Sequence, residues 1–199
     1  MAIGRGITLK VQNTNRDHKD QIVEILAEAF VSDPVLNWVC PDTAFPGFLF
    51  NAVAPFCFPH HHTYMTDDGK GTALWLPPGV DIPFPFAGGI LLKILRSFGF
   101  GTFWRGLRAF GKAEQYHYRP PHFYLLALGV LEEARCKGSG STLIRDITTL
   151  CDEMNMPAYL ENSNERNLSF YQRHGFRTIR EVQFDYGPTL WFMLREPGA

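Results

Sequence analysis

The residues able to do chemistry gather in the second half of this chain. Between an apolar run, Phe123–Val130, and an amphipathic stretch lies Leu131-Glu132-Glu133-Ala134-Arg135-Cys136-Lys137-Gly138-Ser139-Gly140-Ser141. Successive backbone N–H groups in a strand-to-helix turn, reinforced by the positive end of the helix, can surround a diphosphate. Gly138 and Gly140 lack a Cβ, which permits tight curvature and close approach of a ligand. Arg135 or Lys137 can add charge attraction or point into solvent. Two glycines at such a junction are equally compatible with an ordinary tight turn. The string has neither the GxxxxGK[ST] spacing of a nucleotide P-loop nor GxGxxG, because Ser141-Thr142-Leu143 follows Gly140.

Further on, Asn167 and Tyr171 stand four apart, a spacing that a helix brings to one face. A tyrosine hydroxyl is a donor at neutral pH and can give a proton to a departing group. Glu161 follows Tyr159-Leu160 at the end of an expected strand and is the candidate base. An unshifted glutamate is a weak base, so that role requires a water relay or local desolvation, and a salt-bridged surface carboxylate is the plainer alternative. Cys136 has Arg135 and Lys137 beside it but no base partner, so a tolerated small side chain is preferred to a covalent nucleophile. Three consecutive imidazoles, His60-His61-His62, do not converge on one ion, and no metal site is expected. His122 ranks below Glu161 as an acceptor-site residue.

The elements that must position these groups follow from periodicity. A strand is predicted at Ile7–Val11 and a helix over Lys19–Phe30, where Ile22, Ile25, Leu26, Ala29 and Phe30 keep the 3.6-residue period. Asp33-Pro34 ends or redirects it. Phe45–Phe58 reads as helical, and Thr63–Thr66 and Thr72–Leu76 read as strands joined by a polar turn. The apolar stretch Ile82–Phe110 is broken by Lys93, Arg96, Arg105 and Arg108, too soon for a membrane span, and is expected to cover a substrate cleft. Trp38, Trp75, Trp104 and the aromatic residues of that stretch are candidates for an apolar acceptor wall or for plain core. Phe123–Val130 reads as a central strand, and Leu143, Ile144, Ile147, Leu150, Cys151 and Met154 make one helix face. A strand from Ala158, a short helix capped by Asn164 and ended at Gly175, and strands at Phe176–Phe184 and Leu190–Leu194 complete an α/β sheet.

The whole is 199 residues with a formal charge of -1, enough to bury one core and giving no global reason for a nucleic-acid partner. Four dispersed cysteines without CxxC, and no signal-peptide pattern, lead to the expectation of a reducing, cytoplasmic setting.

The string Arg135-x-x-Gly138-x-Gly140, after a strand ending in Val130, resembles the R/Q-x-x-G-x-G/A cofactor turn of the GNAT acetyltransferases. Asn167-x-x-x-Tyr171-x-x-x-Gly175-Phe176 resembles a late segment of the same family. That family commonly has Pro at the position of Glu132 and Gly at that of Cys136. Within it, Pro121–Leu125, Leu128–Val130, Pro157–Ser163, Gly187-Pro188 and Met193–Ala199 are similar to puromycin N-acetyltransferase and related small-molecule acetyltransferases; Glu28–Phe30, Asp33-Pro34 and Ala73–Trp75 extend the likeness over nearly the whole chain. The resemblance implies a single domain over residues 1–199 with a mixed, mainly antiparallel sheet flanked by helices. It implies acetyl-CoA as donor, held by Val130, Arg135, Cys136, Lys137, Gly138, Ser139, Gly140, Ser141 and Asn167. It also implies direct N-acetylation of a small-molecule amine, with Tyr171 as acid and Glu161 as base, and with neither nucleic acid nor membrane as partner; monomer and homodimer stay open. O-acetylation or other acyl transfer, and a noncatalytic CoA-binding module, are the alternatives.

Overall fold

The computed structural model describes residues 9–199, with 84–87 described by backbone alone. The strands are β1 (Val11–Asn13), β2 (Thr63–Thr66), β3 (Gly71–Leu76), β4 (Phe123–Val130), β5 (Ala158–Asn162), β6 (Arg177–Gln183) and β7 (Thr189–Arg195). They form one sheet in the order β1-β2-β3-β4-β5-β7-β6. Every pairing is antiparallel except β4–β5. The strand expected at Ile7–Val11 falls partly outside the described residues; within them, residues 9–10 are not in a strand, and β1 starts only at Val11 and runs to Asn13.

Helices cover both faces. Helix α1 (Lys19–Ala29) buries Ile22, Ile25 and Leu26, and Ile22 and Leu26 join Leu74, Leu76, Ala127 and the Phe50/Ala54/Cys57 stripe of α3 (Phe45–Cys57). On the opposite face α5 (Ser139–Glu153) buries Leu143, Ile144, Ile147 and Cys151 against Ala73, Trp75, Leu125 and Leu160. Strand β3 is buried at every position because it has helices above and below.

A short helix α2 (Pro34–Val39) starts at Asp33, whose carboxylate accepts from the N–H groups of Val35 and Leu36. The apolar stretch after Ile82 is α4 (Phe84–Tyr116), two helical segments that meet at Gly99, where φ is 80°. That left-handed conformation suits glycine. Leu91 and Ile94 of α4 are buried, and Phe100 and Trp104 are exposed. Among the described residues, no helix is long and apolar enough to cross a membrane.

Two backbone features set up the centre of the sheet. Leu74 pairs with Ala127 and Trp75 with Leu125, so Leu126 is an extra residue in β4. This bulge flips the alternation: Phe123 and Leu125 belong to the α5 face, Leu126 and Ala127 both pack toward α1, and Leu128 returns to the α5 face. Beyond it, the parallel pairing with β5 stops at Leu125–Leu160, although β4 continues to Val130 and β5 to Asn162. The two strands part, and a cleft opens in mid-sheet.

Candidate active site

The turn leading out of β4 lies at the mouth of that cleft. Its first part is closed by Ala134 N–H to Leu131 C=O (2.9 Å) and Arg135 N–H to Glu132 C=O (3.1 Å). The next bonded amide is Thr142, which donates to Gly138 at 2.9 Å. The six N–H groups from Cys136 to Ser141 therefore have no acceptor among the described residues. Most of this turn is exposed, with only Ser139 buried, so water can reach these donors, and a row of free N–H groups at the start of a helix of 15 residues can accept an anion. Lys137 is exposed beside it, and the Arg135 Nε donates to the Val130 carbonyl at 3.3 Å, folding the guanidinium back along the strand end. Serine 141 meets His174 Nε2 at 3.0 Å.

The two glycines of the turn act differently. Gly138 has φ 94° and no atom within 4 Å of where a Cβ would stand, so that side faces open space. At Gly140 a Cβ would lie 3.0 Å from Phe170 Cζ. The small residue at 140 is required by packing against the later helix as well as by any ligand. Cys136 holds the left-handed conformation (φ 60°) at the position where the resembling family has Gly. It is exposed, without a base, which favours the bland reading of its thiol.

Tyr171 sits on α6 (Leu168–Gln172), and local backbone chemistry fixes its height. Gly175 (φ 83°) donates to Gln172 C=O at 3.0 Å, and Phe176 donates to Tyr171 C=O at 3.1 Å. This is a Schellman closure, with Phe176 packed on Tyr171 at 6.0 Å between ring centroids. The spacing Tyr-x-x-x-Gly-Phe thus makes Tyr171 the last-turn residue that the closure locks. The side chain is 8% exposed. Its hydroxyl has no hydrogen-bond partner among the described residues, and the sealed, unpartnered side-chain atoms among them are Thr14 Oγ1 and Trp75 Nε1. The Tyr171 oxygen is therefore neither bonded nor sealed; it opens on a space. Burial, and then the negative charge of Asp33, push its pKa above the ordinary tyrosine value, so the proton stays on. Asn167 is exposed and makes no capping bond; Asn164 caps the preceding turn through Arg166 N–H at 3.1 Å.

Glu161 is not a surface carboxylate. Its side chain is 11% exposed and accepts from Tyr159 at 2.9 Å, with His117 Nδ1 at 3.0 Å and the Tyr124 hydroxyl at 3.5 Å. The His117 ring is packed edge-on between Tyr124 and Tyr159, at 5.0 and 4.9 Å. His122 Nδ1–H donates to the Pro120 carbonyl at 2.7 Å, and burial holds its pKa below the ordinary histidine value. Among the described residues there is no cluster of ligands for a metal ion, His60–His62 included.

Two site residues lie outside the expected set. His117 follows α4, 44 positions from Glu161. Asp33 is buried; its Oδ2 accepts from the Ser163 hydroxyl just after β5, and burial raises its pKa. Asp33-Pro34 is expected to end or redirect α1; that Asp33 caps α2 and meets Ser163, 130 positions away, is not read from the sequence. Of the tryptophans expected along an acceptor wall, Trp75 is fully buried core, Trp104 is exposed and Trp38 stacks on Phe184 at 5.0 Å. None of the three forms that wall.

A mixed, mainly antiparallel seven-stranded sheet parted between β4 and β5, with helices on both faces, is the GNAT acyl-CoA N-acyltransferase fold, and the chain has that fold. Residues 87–176 match the model of the Acetyltransferase (GNAT) family. An uncharacterised N-acetyltransferase of Schizosaccharomyces pombe is 26% identical over 92% of this chain and 81% of its own length. Arylalkylamine N-acetyltransferase 2 from Aedes aegypti superposes with a TM-score of 0.69 at 17% identity, covering 95% of this chain and 99% of that one. A Corynebacterium glutamicum structure described as histone acetyltransferase HPA2 and related acetyltransferase gives 0.68 at 21% identity, covering 96% and 97%. These likenesses support the fold and carry no support for a closer tie to puromycin N-acetyltransferase.

Proposed function

We propose that this chain transfers the acetyl group of acetyl-CoA directly to the nitrogen of a small-molecule amine. The observation that carries the proposal is the row of six acceptor-free amides at the end of β4, where its pairing with β5 has stopped. Acetyl-CoA supplies an activated acyl group and a thiol leaving group. The amides of Cys136–Ser141 are placed to hold its diphosphate, with Lys137 adding charge and Val130 and Asn167 flanking it. The Tyr171 hydroxyl, kept protonated by burial and by Asp33, donates its hydrogen toward the departing sulfur.

On the acceptor side, Glu161 and His117 form a carboxylate–imidazole pair. With Nδ1–H donated to Glu161, the His117 Nε2 lone pair is the free basic site, oriented by its carboxylate partner. Glu161 then acts through His117 or a water, which answers the weakness of a lone glutamate as base. Glu161→Gln should slow acetylation most at lower pH and leave acetyl-CoA affinity within about twofold; a pH–rate series identical to wild type would remove the pair from the mechanism.

A purified-protein acceptor screen with acetyl-CoA, recording free CoA and product mass together, tests the reading. Mass gain on an amine supports it. Gain on a hydroxyl would favour O-acetylation, and acetyl-CoA binding with no acceptor modified across the screen would favour a noncatalytic module.

A further inference from the structure

Between α2, α3 and the two segments of α4 lies a cavity of about 190 Å³. Val35 and Leu36 come from α2, Leu49 and Val53 from α3, and Ile90 and Ile94 from α4; every other lining residue is also apolar. The pocket is partly open to solvent, and its walls offer a water almost no polar partner. An apolar cavity of about 150 Å³ holds a benzene molecule. Gly106, also on the wall, keeps the space open where any side chain would approach Leu91 and Val39.

The cavity adjoins the reacting groups. Asp33 caps the N–H groups of Val35 and Leu36 with one oxygen, takes the Ser163 hydroxyl with the other, and its charge reaches Tyr171. Val35 and Ala109 pack in the same apolar cluster as Tyr159, and Leu36 and Ile82 in the same cluster as Tyr124. Those two tyrosines are the ones that hold Glu161. The uncharged chamber and the Glu161–His117 pair are thus neighbours through shared wall residues, Val35, Leu36, Ile82 and Ala109.

We infer that the acceptor is a monoamine bearing one uncharged apolar group, an aromatic ring or a chain of about six carbons, with that group in the cavity between α2, α3 and α4 and its nitrogen toward Glu161, His117 and Tyr171. This rests on the amine-acetylation reading. A second ammonium at the far end of the acceptor would be buried against hydrocarbon with no counter-charge, so diamines and polyamines are disfavoured.

The test is a ladder of linear n-alkylamines under saturating acetyl-CoA. The kcat/KM should rise about fourfold per methylene up to roughly hexylamine and then level or fall. 1,6-Diaminohexane, equally long but charged at its far end, should be poorer than hexylamine by at least about tenfold. Val53→Phe should move the optimum to shorter chains and Val53→Ala to longer ones; the monoamine–diamine contrast in the wild type needs neither variant to fold. Calorimetry with hexylamine alone should follow the same order across the three proteins without turnover. A flat chain-length profile, or a diamine as good as its monoamine, overturns the cavity assignment while acetylation itself stands. If protein that binds acetyl-CoA acetylates no amine in the ladder or in a broader screen, the amine reading fails, and this inference fails with it.

Discussion

Tyr171→Phe removes one oxygen from a side chain that is 8% exposed and whose hydroxyl has no partner among the described residues. No buried donor or acceptor is orphaned by the change, and the ring keeps its contacts with Phe170 and Phe176 at 5.2 and 6.0 Å. Folding stability should therefore stay within about 0.5 kcal/mol of wild type. If the hydroxyl is the donor to the departing sulfur, the chemical step should fall by about 10²- to 10⁴-fold, or about 3–5 kcal/mol in the barrier. The contrast between an unchanged melt and a slowed reaction is what a purely structural tyrosine cannot produce. Steady-state turnover is insufficient when product release is slow, so the assay is single-turnover product formation with saturating acetyl-CoA and acceptor. Because Asp33 and burial both raise the Tyr171 pKa, no loss of rate from its ionisation should appear below about pH 10. A folded variant that performs the single turnover at the wild-type rate across pH refutes the assignment.

Gly138→Val, measured on folded protein because valine is strained at φ 94°, should raise the acetyl-CoA Kd by about tenfold or more by calorimetry, since its added bulk enters the open side of the turn; unchanged affinity would move the donor elsewhere. Gly140→Val should also lower the melt, by about 1–3 kcal/mol, because its Cβ meets Phe170. Cys136→Gly trades a left-handed strain of about 1–2 kcal/mol against added chain entropy of about 0.5–1 kcal/mol. It should stay folded and retain turnover, whereas loss of activity in the folded variant would revive covalent catalysis. Asp152 takes a bidentate pair from Arg195, at 2.7 and 2.9 Å, and a bond from Gly198 N–H, which hold its pKa below the ordinary carboxylate range. A depressed carboxylate stabilises fully above its unfolded pKa, near 3.8, and loses that contribution as pH falls through the lower folded value. Asp152→Asn should cost about 1 kcal/mol at neutral pH, with solvent screening on its open side keeping the effect small, and should flatten the acid limb of a stability–pH curve; an unaltered limb would contradict this.

Much of this arrangement could be read from local pattern. The bounds of α1, α3, β2 and α5 follow apolar period and turn residues within a few positions, because one face of each meets the sheet. The Tyr171–Phe176 spacing encodes a helix closure wholly local in sequence, and so it was legible. What escaped depends on distant partners. The Leu126 bulge is invisible in Phe123–Val130, since every residue of that run is apolar or Gly except for the Tyr124 hydroxyl, and both faces are covered. His117 owes its role to Glu161 and Asp33 owes its to Ser163, pairs that only the folded sheet brings together. Gly140 was read for ligand approach, yet its nearest constraint is Phe170, thirty positions on in a different helix. The three tryptophans show the converse: aromatic content cannot tell a pocket wall from a core, and the cavity between α2, α3 and α4 is lined mainly by aliphatic side chains, with Phe110 of the expected stretch and Phe45 among them.

Direct acetyl transfer to nitrogen at this site is tested by mass balance. Wild-type protein, given isotopically labelled acetyl-CoA and hexylamine, should release one CoA for each labelled N-hexylacetamide formed, with no label retained on the protein. CoA release without labelled amide, or label accumulating on Cys136 before any product appears, would contradict direct transfer to nitrogen.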